Sequence, residues 1–285
     1  MSSLINARGL SKQYGSLKAL DSVNFSIESG RIVGLIGPNG AGKTTALKAL
    51  LGLTDFKGEL EICGLDPRSQ RHKLMQHVSF IADVAVLPNW MKVKQSLDFV
   101  EGVHPGFNRD RAIEMLSLTK IPMDKKVKQL SKGMITQLHL ALVLAIDAKV
   151  LVLDEPTLGL DILYRKAFYD HLLNDYFSED KTIIITTHQV DEIEYLLTDL
   201  LFINEGKIVL DIAMDEISEK YLEVMVGPEQ LQQARSLNPL TEREVFGRHI
   251  FLFESVDRAT LEELGEINVP KVTDLFVAKM KGAKS

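Results

Sequence analysis

The sequence predicts an α/β fold: a parallel sheet, a helical lobe inserted into it, and a small α/β appendage at the C-terminal side. Three observations predict this. The runs "RIVGLIG", "KVLVLDEP" and "KTIIITTHQ" are almost continuously apolar, as for strands buried on both faces. Helical patterns separate these strands, which implies parallel pairing, and from about residue 84 to 147 helical patterns dominate. From about residue 215 the pattern changes, and "YLEVMV", "HIFLFES" and "VPKVTDLFVAKM" read as a separate set of short strands and a helix.

In chain order, Val23, Phe25 and Ile27 first interleave with Asn24, Ser26 and Glu28, the period of a half-buried strand. "ESG" (28–30) is a turn before the first buried strand, and "AGKTTALKALLGL" reads as a helix after it. "KGELEICG" returns to strand alternation. "LPNW", "HPGFN" and "KIPMD" punctuate the helical lobe as loops. "LLFINEGKIVLD" has the form of a hairpin with Glu205 and Gly206 in its turn.

Composition narrows the function. A net charge of −6 gives no electrostatic footprint for nucleic acid. A single cysteine, Cys63, excludes an internal disulfide and any zinc–cysteine cluster, and fits a reducing compartment. The start "MSSLINARGLSKQYG" is too polar for a signal peptide. No apolar run approaches the ~18–20 residues of a membrane span, because Asp147 and Lys149 break the most apolar stretch. If the protein acts on a membrane, another chain must do the spanning.

"GPNGAGKT" (37–44) follows a buried strand and opens a helix, the context that makes a phosphate-binding P-loop. Gly37, Gly40 and Gly42 let the backbone curl, with Pro38, Asn39 and Ala41 between them, so that N–H groups face phosphate oxygens. The helix N-terminus adds partial positive charge. Lys43 would hold the β- and γ-phosphates, the Thr44 hydroxyl would ligate Mg²⁺, and Thr45 would bond the α-phosphate. This motif alone does not choose among kinases, GTPases and ATPases.

Asp154 and Glu155 end the second buried strand. Asp154 suits a Mg²⁺ ligand, and Glu155 could orient and polarise an attacking water, working through position more than basicity. His188 ends the third strand, where a neutral imidazole can donate to a γ-phosphate oxygen. "LSKGM" (130–134) opens a buried helix. Ser131 could simply cap it. A cap needs no glycine in the first turn, whereas a backbone approached closely by a ligand does, and Gly133 stands there.

Together these residues resemble the ATP-binding subunits of ATP-binding cassette (ABC) transporters. "GPNGAGKTT" matches Walker A, "LSKGM" the signature, "VLVLDEP" Walker B with its glutamate, "LGLD" (158–161) the D-loop and "TTHQ" the switch histidine, in the family's order. The resemblance covers about residues 4–213. It implies a P-loop NTPase cassette with a mixed sheet core, an antiparallel β subdomain and an inserted helical subdomain over about 84–147. The cassette would occupy residues 1–214, with an accessory domain over 215–285. Tyr14 matches the aromatic that stacks on adenine. The resemblance further implies Mg²⁺-dependent ATP hydrolysis with Lys43, Glu155 and His188 as catalytic residues. It implies a homodimer, packed head to tail, in which Ser131 and Gly133 of one copy meet the γ-phosphate held by the other and Asp161 couples the two sites.

The signature departs from the family's commonest form at Lys132 and Met134, a variant that looks like that of ABC-2 exporters. This implies an ABC-2-like transmembrane permease as partner, a place on the cytoplasmic face of the cell membrane, membrane contact only through the permease, and no nucleic-acid partner. Lys132 would either add a cation near the phosphates or point to solvent. Asp83 stands where the family usually carries a Mg²⁺-binding glutamine, and would be a third metal ligand beside Thr44 and Asp154. Trp90 would either face the permease or pack within the helical lobe. The tail "VPKVTDLFVAKMKG" resembles the closing helix of ABC-2 ATPases. The alternative is a soluble ABC-type ATPase for translation or DNA repair, but those usually carry two cassettes or a long coiled coil, and no sustained heptads occur here. A GTPase would need an "NKxD"-type guanine reader and a kinase an acceptor site; neither is found. A non-hydrolysing member of a heterodimer would not need both Glu155 and His188.

Overall fold

The computed structural model describes residues 3–81 and 87–282. Strands β1 (Ile5–Tyr14) and β2 (Leu17–Ile27) pair antiparallel. β3 (Ile32–Ile36) leads into helix α1 (Lys43–Leu50), and β4 (Lys57–Ile62) returns to the free side of β1. The short helix α2 (Arg71–Leu74) precedes β5 (Val78–Ile81). Helices α3 (Val93–Val103), α4 (Arg109–Ser117) and α5 (Lys132–Leu144) follow. Next come β6 (Val150–Asp154), α6 (Ile162–His171), β7 (Thr182–Thr186), β8 (Asp199–Asn204) and β9 (Lys207–Ala213). A short helix α7 (Ile217–Lys220) opens the C-terminal part, which runs β10 (Tyr221–Val226), α8 (Leu231–Ser236), β11 (Thr241–Val245), β12 (Arg248–Glu254), α9 (Arg258–Glu262), β13 (Gly265–Asn268) and α10 (Val272–Gly282).

The main sheet has the order β5-β6-β7-β3-β8-β9, parallel except for the antiparallel edge strand β9. Period-two alternation sorts its side chains onto two faces. Val33, Leu35, Val150, Val152 and Ile184 point to one core, shared with Ala46 and Leu47 of α1 and with Leu10, Leu20 and Val23 of the antiparallel β2-β1-β4 sheet. Ile32, Ile36, Leu151, Leu153, Ile183 and Ile185 point to the other, shared with Phe168 and Tyr169 of α6. The expected hairpin is present, and Glu205 and Gly206 both have positive φ (48° and 76°), the backbone of a type I′ turn whose twist matches its strands.

The segment "VSFI", to which the sequence pattern assigns no element, is the edge strand β5, parallel to β6. Four residues are too few for a period to show against flanking polar residues. Helices α3, α4 and α5 make their own core from Val93, Leu97, Ala112, Leu116, Leu138 and Leu142. The C-terminal strands form a separate antiparallel sheet, β11-β12-β10-β13. Val224, Phe251 and Phe253 face α8 and α9 through Ala234 and Leu261. Helix α10 leaves that sheet: Val272, Leu275 and Ala278 join the core under the main sheet, and Phe276 meets Phe202 edge-on at 5.3 Å. Burying Leu275 completely contributes about 2 kcal/mol relative to exposing it.

Candidate functional site

In an open parallel sheet, ligands bind beyond the carboxyl ends of the strands. Here β3, β6 and β7 are neighbours or next neighbours, so the loop after Ile36, the acids after Leu153 and the histidine after Thr187 gather at one edge. The phosphate loop is fixed from behind. A Cβ on Gly37 would sit 2.3 Å from the Ile203 carbonyl oxygen of β8. One on Gly42 would sit 2.4 Å from the Ala19 carbonyl oxygen, and Gly42 also has a φ of 114° that side chains disfavour. These glycines are thus required by packing as well as by any phosphate.

Lys43 is buried, and its ammonium curls back to donate to the carbonyl oxygens of Gly37 (2.6 Å) and Pro38 (3.2 Å). Burial holds its pKa below the usual lysine value, partly offset by the charges of Glu155 and Asp154. The register of β6 against β7 sets Asp154 opposite Thr186. The Thr186 hydroxyl donates to Asp154 Oδ1 at 2.5 Å, and the Thr44 hydroxyl lies 3.4 Å from Asp154 Oδ2. Thr186 is a site residue that sequence reasoning passed over; the signal was a polar side chain at the end of an otherwise apolar strand.

Glu155 is one of the few non-glycine residues with positive φ (48°). Such a backbone costs about 1–3 kcal/mol and gathers at functional sites. Its N–H is held by both the carbonyl (3.1 Å) and the hydroxyl (3.3 Å) of Thr186. Its carboxylate Oε2 lies 2.9 Å from His188 Nδ1. With Nδ1 carrying the proton toward this carboxylate, a neutral His188 has no N–H left on Nε2. To donate from Nε2 to a phosphate oxygen, His188 therefore needs either a second ring proton, which makes it a cation, or release of Glu155 so that a neutral ring can present N–H there.

Ser131 caps α5, its Oγ accepting from the Met134 N–H at 3.2 Å. Asp161 caps α6, accepting from the N–H groups of Leu163 and Tyr164, both at 3.0 Å. Gly133 is not needed for its own chain: φ is ordinary, and a Cβ there would meet nothing nearer than the Gly159 carbonyl at 3.4 Å. Lys132 is exposed, its stem lying over Gly159. Among the described residues, no hydrogen bond joins Ser131, Gly133 or Asp161 to the phosphate loop. Tyr14 ends β1 half exposed, with the Lys12 ammonium 4.9 Å from its ring centre. Trp90 is 65% exposed, so it does not pack within the helical lobe. Asp83 lies outside the described residues.

Among the described residues, no group of three or more His, Cys, Asp or Glu side chains is placed to hold a metal ion by itself. Mg²⁺ does not require one: it keeps several waters and is held by one or two protein oxygens plus substrate phosphates. The adjacent Thr44 hydroxyl and Asp154 carboxylate fit that requirement. No helix of the described residues is long and apolar enough to cross a membrane. Beside the phosphate loop, Phe276, Val277 and Met280 of α10 line a cavity of about 490 Å³ together with Pro38, Asn39 and Asn204.

A glycine-built phosphate loop facing strand-end acids across a parallel sheet defines a P-loop nucleotide hydrolase. A family profile for ABC transporters matches residues 20–158. The Nod factor export ATP-binding protein I of Burkholderia lata is 34% identical over 263 residues, covering 88% of this chain and 86% of that protein. Among solved structures, the ATP-binding subunit of an ABC transporter superposes with a TM-score of 0.69 at 23% identity, over 76% of this chain and 92% of that one. The ATP-binding cassette MJ0796, described as dimeric in a post-hydrolysis state with ADP and Pi, superposes with a TM-score of 0.64 at 21% identity, over 74% and 98%. The chain belongs to the family of ABC transporter ATP-binding proteins. It is an ATP-binding ATPase of the ABC type.

Proposed function

We propose that this chain is the ATPase of an exporter, driving a separate ABC-2-like permease from the cytoplasmic face of the membrane through ATP-dependent, head-to-tail pairing of two copies. The observation that carries the pairing is Gly133. It stands in the first turn of α5 without a conformational or packing need in its own chain, beside a capping serine that, among the described residues, makes no hydrogen bond to the phosphate loop. A phosphate brought by a second copy supplies the need: Ser131 and Gly133 of one copy would close on the γ-phosphate seated at Lys43 of the other, with Asp161 near the contact. Support for export comes from the export protein in Burkholderia lata and from the signature variant.

In this reading residues 1–214 are the cassette, with its helical subdomain at about 84–147, and residues 215–285 are an accessory domain. Pro38, Asn39, Gly40, Ala41, Gly42 and Thr45 wrap the phosphates and Tyr14 stacks on adenine. Thr44 and Asp154 would hold Mg²⁺, with Asp83 as a third ligand. Bound there, the ion neutralises phosphate charge. Glu155 holds the attacking water, and His188 holds Glu155. The exposed Trp90 faces the permease; co-purification unchanged by Trp90→Ala would remove it from that contact.

The test is Glu155→Gln. It is expected to abolish turnover, to keep ATP binding, and to form a stable dimer on gel filtration with Mg-ATP. A variant that hydrolyses ATP normally would contradict the role of Glu155.

A further inference from the structure

Arg165 stands one turn into α6, four residues beyond the capping Asp161. Its side chain is only 18% exposed and holds two loops at once. Nη2 donates to the Leu160 carbonyl oxygen at 3.2 Å, inside the loop that ends in Asp161. Nη1 donates to Gln189 Oε1 at 3.0 Å and to Glu192 Oε1, both just beyond His188. The planar guanidinium presents its donors from two nitrogens in a fixed fork, whereas a lysine ammonium is a single donor centre on a flexible stem.

Both loops lead back to the reacting end of the sheet through short turns. Leu160 N–H donates to Thr157 O (3.0 Å) and Leu158 N–H to Glu155 O (3.2 Å), so the stretch from Glu155 to Leu160 is continuously hydrogen-bonded. On the other side, Gln189 N–H donates to the Thr187 hydroxyl (3.0 Å) and Glu192 N–H to Gln189 O (3.2 Å). Glu155 and His188 thus meet at one end of a closed frame, and Arg165 closes the other. Among the described residues, Arg165 Nε and Glu192 Oε2 are buried without a hydrogen-bond partner.

We propose that Arg165 is a positioning residue for ATP hydrolysis, fixing the aspartate loop and the switch segment in one geometry so that Glu155 and His188 stay paired. The inference rests on the roles assigned above to Glu155 and His188.

The experiment is a double-mutant cycle in kcat. Arg165→Lys keeps the charge and loses the fork; kcat is expected to fall about tenfold, with the KM for ATP within about twofold of the parent and the melting temperature unchanged. On a His188→Ala background, which already breaks the pair, the same change should lower kcat by less than about twofold. A folded Arg165→Lys protein with parental kcat, or a full tenfold loss repeated in the His188→Ala background, overturns the proposal. If Arg165→Lys fails to fold, Gln189→Ala at the exposed arm of the clasp takes its place in the same cycle: a several-fold loss of kcat that vanishes without His188 supports the proposal, and an equal loss in both backgrounds overturns it. A parental kcat in His188→Ala itself overturns the proposal together with the role of His188, while the gel-filtration behaviour of Glu155→Gln separately reports on pairing.

Discussion

His188 Nδ1 lies 2.9 Å from Glu155 Oε2, joining the end of β7 to the end of β6. The pair gives the histidine a first task, which is to orient the carboxylate. His188→Ala is expected to lower kcat by about a hundredfold while the KM for ATP changes by no more than about threefold. Steady-state phosphate release measures both, and a parental kcat would remove the histidine from the reaction.

Tyr14 presents a half-exposed ring at the end of β1, the middle strand of the antiparallel sheet. Stacking on a base contributes about 1–3 kcal/mol, and a ring that stacks in ground and transition states alike acts on binding alone. Tyr14→Ala is therefore expected to weaken ATP about tenfold or more and to leave saturated turnover nearly unchanged, whereas Tyr14→Phe keeps both. Equal nucleotide affinity in parent and Tyr14→Ala, by equilibrium titration, places adenine elsewhere.

Lys43 supplies a pH dependence. Burial holds its ammonium below the ordinary value of 10.5, so the unfolded chain binds that proton more tightly than the folded one. Stability of the nucleotide-free protein should then rise with pH between the lowered folded value and the unfolded one, as the buried charge is lost. Urea unfolding of the parent and of Lys43→Met, compared at each pH, isolates this contribution: the difference should move in the parent's favour as pH rises through that window. A difference that stays flat, or moves the other way, contradicts a buried charged Lys43.

Much of this site is local and for that reason legible in the sequence. Residues 37–45 declare themselves because strand, glycine turn and helix follow one another directly. Asp154, Glu155 and His188 are visible because each ends an apolar run. What connects them is not local. Thr186 matters because the β6–β7 register sets it opposite Asp154, and Arg165 because a crossover brings Gln189 back beside α6; neither follows from spacing. Helix α10 was legible as a helix, but not its return to the core at Phe202, since a short amphipathic helix does not encode which surface it will cover. Gly133 is the reverse case: the sequence marks it, and a single chain leaves the mark unexplained.

In the proposed pair, a serine-led helix tip from one copy completes the phosphate site of the other. A thiol cross-link reports on that contact in a Glu155→Gln, Cys63→Ser background, with Asn39→Cys in the phosphate loop and Ser131→Cys at the helix tip. With Mg-ATP and a short bis-maleimide, a denaturing-gel band at twice the chain mass is expected that is absent without nucleotide. A link formed only within single chains, or no ATP-dependent link under saturating nucleotide, would contradict it.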